Sequence, residues 1–225
     1  IPMGGNNPSA NPTLMEEYPE IYIGMGTTAE NVAEKYDISR EAQDEFALRS
    51  HQRATEAWER GFFEGEVFEM ETKVVDQDGA VTETVSDMDG NVRPDTNLET
   101  LAGLPAAFKK GGVVTPGNAS PLTDGAAAVV LMAKEKAEEL GVEPMGYFRA
   151  IQVEGVPPEI MGIGPVPATR ALMEHTGMSI EDIDLFEINE AFASQSVYCA
   201  GELGIDPDKL NVNGGAIAVG HPLGV

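Results

Sequence analysis

From Gly111 onward, apolar and amphipathic segments alternate in a pattern that few architectures satisfy. The stretch 111–141, GGVVTPGNASPLTDGAAAVVLMAKEKAEELG, reads as a strand, a small-residue loop, a buried apolar run and a charged helix closed by Gly141. YFRAIQVEGV (147–156) then reads as a strand and VPATRALMEHTG (166–177) as a helix; IDLFEIN (183–189) and EAFASQSVYCAGELG (190–204) repeat the alternation. Strands with apolar centres that alternate with helices cannot each bury their faces alone. They predict a layered α/β fold.

The first half reads differently. Thr27, with Glu30 three residues on, predicts a capped helix whose Ala29, Val32, Ala33 and Tyr36 share a face. A longer helix is expected from about Ser39 to Gly61, with Ala42, Phe46, Ala54, Ala57 and Trp58 at helical spacing. His51 lies between Arg49 and Arg53 in that helix and is expected in solvent, while His175, before Gly177, suits a helix C-terminus. Apolar residues that alternate on both sides of Asp78-Gly79 predict a hairpin. Thr96 and Glu99 predict a second capping box on a short helix that contains Leu98 and Leu101. The acidic pairs Asp76/Asp78 and Asp87/Asp89 lack the further ligands of a calcium loop, so no metal is expected.

Charge narrows the function. The chain carries 38 acidic against 14 basic residues, a formal net charge of -24. Such a surface repels phosphate backbones, which excludes a general nucleic-acid partner. It also repels itself, and a salt-rich cytoplasm that screens the repulsion is the expected setting. No segment approaches the length of an apolar membrane span, so no membrane partner is expected either. A lone cysteine, Cys199, leaves no disulfide within the chain and no cysteine zinc site, and fits a reducing compartment. The opening, IPMGGNNPSANPTL, reads like the interior of a longer chain.

Chemistry concentrates at the other end. In NVNGGAIAVGHPLGV (211–225) a histidine, His221, sits among glycines that permit tight turns or close approach of another group, with Pro222 setting the exit direction. Asn189 stands where a strand gives way to a helix, the position at which α/β folds gather functional groups. It would also serve as a helix N-cap. Ser120 lies in GNASP, another small polar turn.

Taken together, MGTTAENVAEKYDISREAQDEFALRSHQRA, GNASPLTDGAAAVV, MGIGPVP, NEAFASQ and NVNGGAIAVGHPLG resemble, in order and approximate spacing, the thiolases, acyltransferases that make or cleave 3-ketoacyl-CoA. The resemblance covers essentially the whole chain and is strongest to the degradative 3-ketoacyl-CoA thiolases of fatty acid oxidation, with acetoacetyl-CoA thiolases close behind. It implies a layered αβαβα fold, here incomplete. Residues 1–122 would form most of a CoA-binding loop domain, 123–143 the return into the N-terminal half, and 144–225 a truncated C-terminal half. It implies coenzyme A as a substrate, no tightly bound cofactor, and a homodimer or homotetramer as the full-length protein.

Position by position, the resemblance makes His221 the residue that activates a nucleophilic cysteine and helps hold the thioester oxygen, and Asn189 the residue that orients a water in the same oxyanion hole. Ser120 would hydrogen-bond the pantetheine arm of CoA. Phe108, Met161 and Phe192 would line that arm, and Arg93 would lie near the adenine end. Gly24 replaces a histidine that many members carry before MGTTAEN, which removes one CoA contact. Both family cysteines belong to segments that this sequence does not contain, and Cys199 matches neither, so the chain alone is expected to be inactive and poorly stable. A non-catalytic acyl-CoA or lipid-binding relative is the alternative; intact His221 and Asn189 argue against it.

The charge excess makes the first prediction. The urea midpoint of this protein is expected to rise between low salt and molar KCl; equal midpoints would remove the salt-rich setting.

Overall fold

The computed structural model describes residues 9–223. A long helix packs against three shorter ones that follow it in the chain. A short helix α1 (Pro12–Glu17), capped by the Asn11 side chain, leads through a 3-10 turn to α2 (Met25–Lys35). Helix α3 (Arg40–Glu59) starts where the sequence places it, with Ser39 Oγ accepting from Ala42 N at 3.1 Å. The hairpin of β1 (Met70–Val75) and β2 (Val81–Ser86) follows, with Val75 opposite Val81 and Met70 opposite Ser86. Its turn is held by Asp76 Oδ1, which accepts from Asp78 N at 2.9 Å and Ala80 N at 2.8 Å.

Helices α4 (Leu98–Ala102), α5 (Lys134–Leu140), α6 (Pro165–Thr176), α7 (Ala193–Leu203) and α8 (Ala216–Val219) complete the chain. Three of them stop on a left-handed glycine: Gly141 at φ 66°, Gly177 at 70° and Gly204 at 68°. The core joins Phe46 and Ala47 of α3 to Leu101 of α4, Ala193 of α7, Ile217 of α8 and the intervening Leu210. Among the described residues no helix is long and apolar enough to cross a membrane.

Both expected capping boxes are replaced. Helix α2 begins at Gly24 with no side-chain cap, and Glu30 does not turn back to the helix N-terminus. Its buried carboxylate instead accepts from Val113 N (3.0 and 3.1 Å) and Val114 N (3.0 Å). Two loop N–H groups without a secondary-structure partner need an acceptor more than a helix start does. The loop runs so close that a Cβ on Gly112 would lie 2.1 Å from Glu30 Oε1. At α4 the cap is Asn97 rather than Thr96, with Oδ1 accepting from Thr100 N at 2.9 Å.

The expected strands after Gly111 also differ. Among the described residues the only sheet is the hairpin. Val129 and Val130 are 82% and 84% exposed, and Tyr147, Phe148 and Val153 are exposed as well. Segment 183–189 contributes a single parallel bridge, in which Phe186 N donates to Lys209 O (2.8 Å) and Asn211 N to Phe186 O (2.9 Å). Apolar content alone does not make a strand: a parallel-sheet strand needs ladder partners, and residues 126–131 and 147–156 meet none among the described residues.

Replacing Glu30 with Ala leaves two N–H groups unsatisfied and is expected to lower unfolding free energy by about 3 kcal/mol, read by urea titration. Glu30→Gln, which keeps one acceptor oxygen, should lose less. Equal losses would show that the carboxylate does not hold the loop.

Candidate active site

The site forms where two connecting segments meet above α3. One is the loop 187–192, between the Phe186 bridge and α7; the other is the glycine-rich segment 211–223, which surrounds α8. Asn189 does not cap α7, whose N-cap is Phe192. Its side chain is exposed and points across to the other segment: Nδ2 lies 2.9 Å from Nδ1 and 3.1 Å from Nε2 of His221. The amide donates and the imidazole nitrogen facing it accepts. Beside His221 and Pro222 an open cleft is lined by Leu122, Thr123, Asp124 and Gly125.

The glycines have separate reasons. Gly214, at φ 81°, passes so close to α3 that a Cβ would lie 2.7 Å from Ser50 O and 2.8 Å from Ala54 N. Gly220, at φ 107°, abuts Thr123, with its ideal Cβ 2.3 Å from Oγ1. The first lets the segment reach the helix. The second aims the residue that follows, His221, along the cleft.

Ser120 is tied to the same loop, since its backbone N and its Oγ both donate to Ala191 O, at 3.0 and 3.1 Å. A bridge joins its neighbour Ala119 to Phe192, and Ala193 N donates to Asn118 O at 2.9 Å. Phe192 packs on Ala29, Val114 and Ala119 and presents its ring edge-to-face to Phe108, with centroids 5.9 Å apart. Phe108 is half-exposed and covers Gly26, where a Cβ would fall 2.1 Å from the ring. Met161 is exposed on a 3-10 turn (Pro158–Ile163) that packs against α2. Asn189 with His221, and Ser120 with Phe192 and Phe108, are therefore brought together. Arg93 stands apart, with its side chain exposed and its backbone N donating to His51 Nδ1 at 3.2 Å.

That last contact corrects the expectation for His51, which is buried and not solvated. Burial, reinforced by Arg93 and opposed by Asp95, holds its imidazole below the ordinary histidine range. The flanking arginines were misleading. His51 shares a helical face with Ala47, Ala54 and the buried Ser50, and that periodicity was the better signal.

The residues that sequence reasoning passed over are polar and buried. Glu190 is 1% exposed; Oε2 accepts from Ser50 Oγ (2.6 Å) and Ile217 N (3.1 Å), and Oε1 from Asn211 Nδ2 (2.8 Å). Burial pushes its carboxyl up, while those three hydrogen bonds and Arg49 pull it back. Its place inside NEAFA was the available cue. Cys199 is fully buried on α7, and its Sγ donates to Gly162 O at 3.4 Å. Burial pushes its thiol up to about 12, which suits packing and not nucleophilic attack. Among the described residues no group of three or more His, Cys, Asp or Glu is placed to hold a metal.

Comparison with known proteins identifies the family. Residues 9–135 match the family model "Thiolase, N-terminal domain" and residues 142–225 match "Thiolase, C-terminal domain". The chain belongs to the thiolase family, and its architecture is a thiolase-like α/β fold in part. It is 50% identical to the 3-ketoacyl-CoA thiolase of Bacillus subtilis (strain 168), over all of this chain and 58% of that one. It is 47% identical to the human peroxisomal 3-ketoacyl-CoA thiolase, over 98% of this chain and 52% of that one. Among solved structures it resembles the dimeric peroxisomal thiolase of Saccharomyces cerevisiae (TM-score 0.87, 43% identity, 96% of this chain and 53% of that one). It also resembles the Bacillus anthracis acetyl-CoA acetyltransferase (TM-score 0.83, 48% identity, 90% and 50%). The chain spans about half the length of the relatives it matches.

With its thiol held neutral and enclosed, Cys199 is expected to resist iodoacetamide at pH 8 in the folded protein and to react within minutes in urea. Rapid native alkylation would overturn the packing role.

Proposed function

We propose that this chain is part of an acyl-CoA C-acyltransferase that cleaves 3-ketoacyl-CoA with CoA to acetyl-CoA and a shortened acyl-CoA, or runs the reverse Claisen condensation. One observation carries the reading: the amide of Asn189 sits within hydrogen-bond distance of the His221 imidazole, beside an open cleft. Thioester chemistry of this type passes through an oxygen that becomes negative, and donors fixed in place before it forms stabilise that charge more than mobile water does. His221 and Asn189 supply the polar groups. A cysteine thiolate outside these residues supplies the nucleophile, since Cys199 is enclosed in α7.

Coenzyme A enters as substrate and not as a bound cofactor. Its pantetheine arm would run along the exposed edge of Phe108 over Phe192, towards Met161. Ser120 Oγ, which spends its proton on Ala191 O, keeps lone pairs to accept an amide N–H from that arm. Arg93 would meet the phosphorylated adenine end, a local cation on an acidic protein. Residues 1–122 would act as the CoA-binding loop domain, with 123–143 and 144–225 belonging to the two halves that carry the chemistry. A degradative role in fatty acid oxidation, a homodimeric or homotetrameric assembly and a salt-rich cytoplasm belong to the same reading; the similarity to 3-ketoacyl-CoA thiolases supports the first of these.

The test is loss of acetoacetyl-CoA absorbance on addition of CoA. The complete protein is expected to turn over, and the 225 residues by themselves are not. His221→Ala and Asn189→Ala in the complete protein should each lower kcat about 100-fold or more. Binding of acyl-CoA without turnover by the complete protein would overturn the enzymatic reading.

A further inference from the structure

We propose that Glu190 is the positioning residue of the site: its buried carboxylate clamps the loop that carries Asn189 to the segment that carries His221, and so sets the reach between amide and imidazole. The inference rests on the thiolase reading for its kinetic consequence, but its geometry stands independently. Asn189 is bracketed on both sides. Before it, Ile188 spends both backbone groups on one side chain, its N donating to Asn211 Oδ1 and its O accepting from Asn211 Nδ2, each at 2.8 Å. After it, the Glu190 carboxylate takes the same Asn211 Nδ2 together with Ser50 Oγ and Ile217 N. The carbonyl of Asn189 itself accepts from Gln195 Nε2 of α7 at 3.0 Å.

The other ends of these bonds lie on the His221 segment. Asn211 begins it, in the left-handed region at φ 46°, and Ile217 sits in α8, four residues before His221. Ser50 reinforces the clamp from α3, donating to Glu190 and accepting from Gly215 N at 3.0 Å. Gly215 has no room for a side chain, because a Cβ there would lie 2.3–2.6 Å from the Glu190 carboxyl atoms.

Three donors converge on two oxygens, which requires an acceptor at both positions. A carboxylate meets that requirement. A carboxamide of the same size cannot, since its NH2 must face either Asn211 Nδ2 or the Ser50 and Ile217 donors. Glu190→Gln therefore tests hydrogen-bond polarity at nearly constant volume. The Glu190 carboxylate is enclosed and bonded to protein groups, so its effect reaches the chemistry through the placement of Asn189 and His221.

The experiment uses the complete protein with 15N-labelled histidine, whose His221 ring signals are assigned by their loss in His221→Asn. In Glu190→Gln the His221 ring signals are expected to move, and kcat for acetoacetyl-CoA thiolysis to fall about tenfold to hundredfold, with the KM for CoA within about twofold, because a displacement near 1 Å is enough to cost that much. Ser50→Ala, which removes one donor and leaves the carboxylate, should show the same signature more weakly and guards against a Glu190→Gln variant that fails to fold. Unchanged His221 signals and an unchanged kcat in a folded variant, with only the melting temperature lowered, would overturn the positioning role. Absence of thiolysis in the unsubstituted protein would sink the thiolase reading instead, and the His221 signals would still decide the clamp.

Discussion

The two segments that meet at the site are held to one another through the polar side of one helix. Along α3, buried and half-buried polar side chains that would be liabilities in an apolar core hold the surrounding loops. Asp44, paired with Arg40, accepts from Asn118 Nδ2 at 2.9 Å and so fixes the turn that precedes Ser120. Ser50 holds Glu190 and Gly215, His51 holds the backbone of Arg93, and Arg53 donates to the carbonyls of Leu210 and Pro207. A buried polar group costs free energy unless it is satisfied, so each partner loop is bound to one geometry and not to a family of them. The apolar residues of α3, chiefly Phe46 and Ala47, supply the burial that makes those bonds strong.

This arrangement explains how an exposed pair can be well placed. Asn189 is open to solvent, as a group that must meet a substrate has to be, and exposed side chains ordinarily sample several rotamers. Here the backbone on both sides of it is tied down from below, so only its own side-chain rotation remains free. The glycines on the facing segment serve the same end from the other side. Gly214 and Gly215 let the chain press against α3 and Glu190, and Gly220 lets it turn along Thr123 before His221. The glycine-rich run is thus a consequence of close approach at three separate places.

How much of this was legible varied with the range of the interaction. Local signals held: Ser39 starts α3, Asp78-Gly79 turns the hairpin, and Gly141, Gly177 and Gly204 stop helices, because each depends on a few neighbouring residues. Glu30 failed as a capping residue because its partners, Val113 and Val114, lie far along the chain. His51 was misread for a related reason: neighbouring arginines describe the surface, whereas a helical face describes the core. The buried apolar run expected within 111–141 and the strand expected at 147–156 depend entirely on partners from elsewhere in the fold, which composition does not supply. Asn189 and His221 were legible as motif residues, but their contact spans 32 positions and only the fold reveals it.

The same distinction separates the two carboxylates that matter most. Glu30 and Glu190 are both nearly inaccessible, and both accept hydrogen bonds from distant segments. Glu30 binds only backbone N–H groups of one loop, so its work is complete once that loop is folded against α2. Glu190 binds donors from three places, α3, the start of the glycine-rich segment and α8, and sits next in sequence to an exposed site residue. A group with that connectivity cannot move without altering the geometry above it. Two acidic residues of similar burial in one chain therefore have different physical consequences: loosening the first changes how firmly a loop is attached, and loosening the second changes where an amide points.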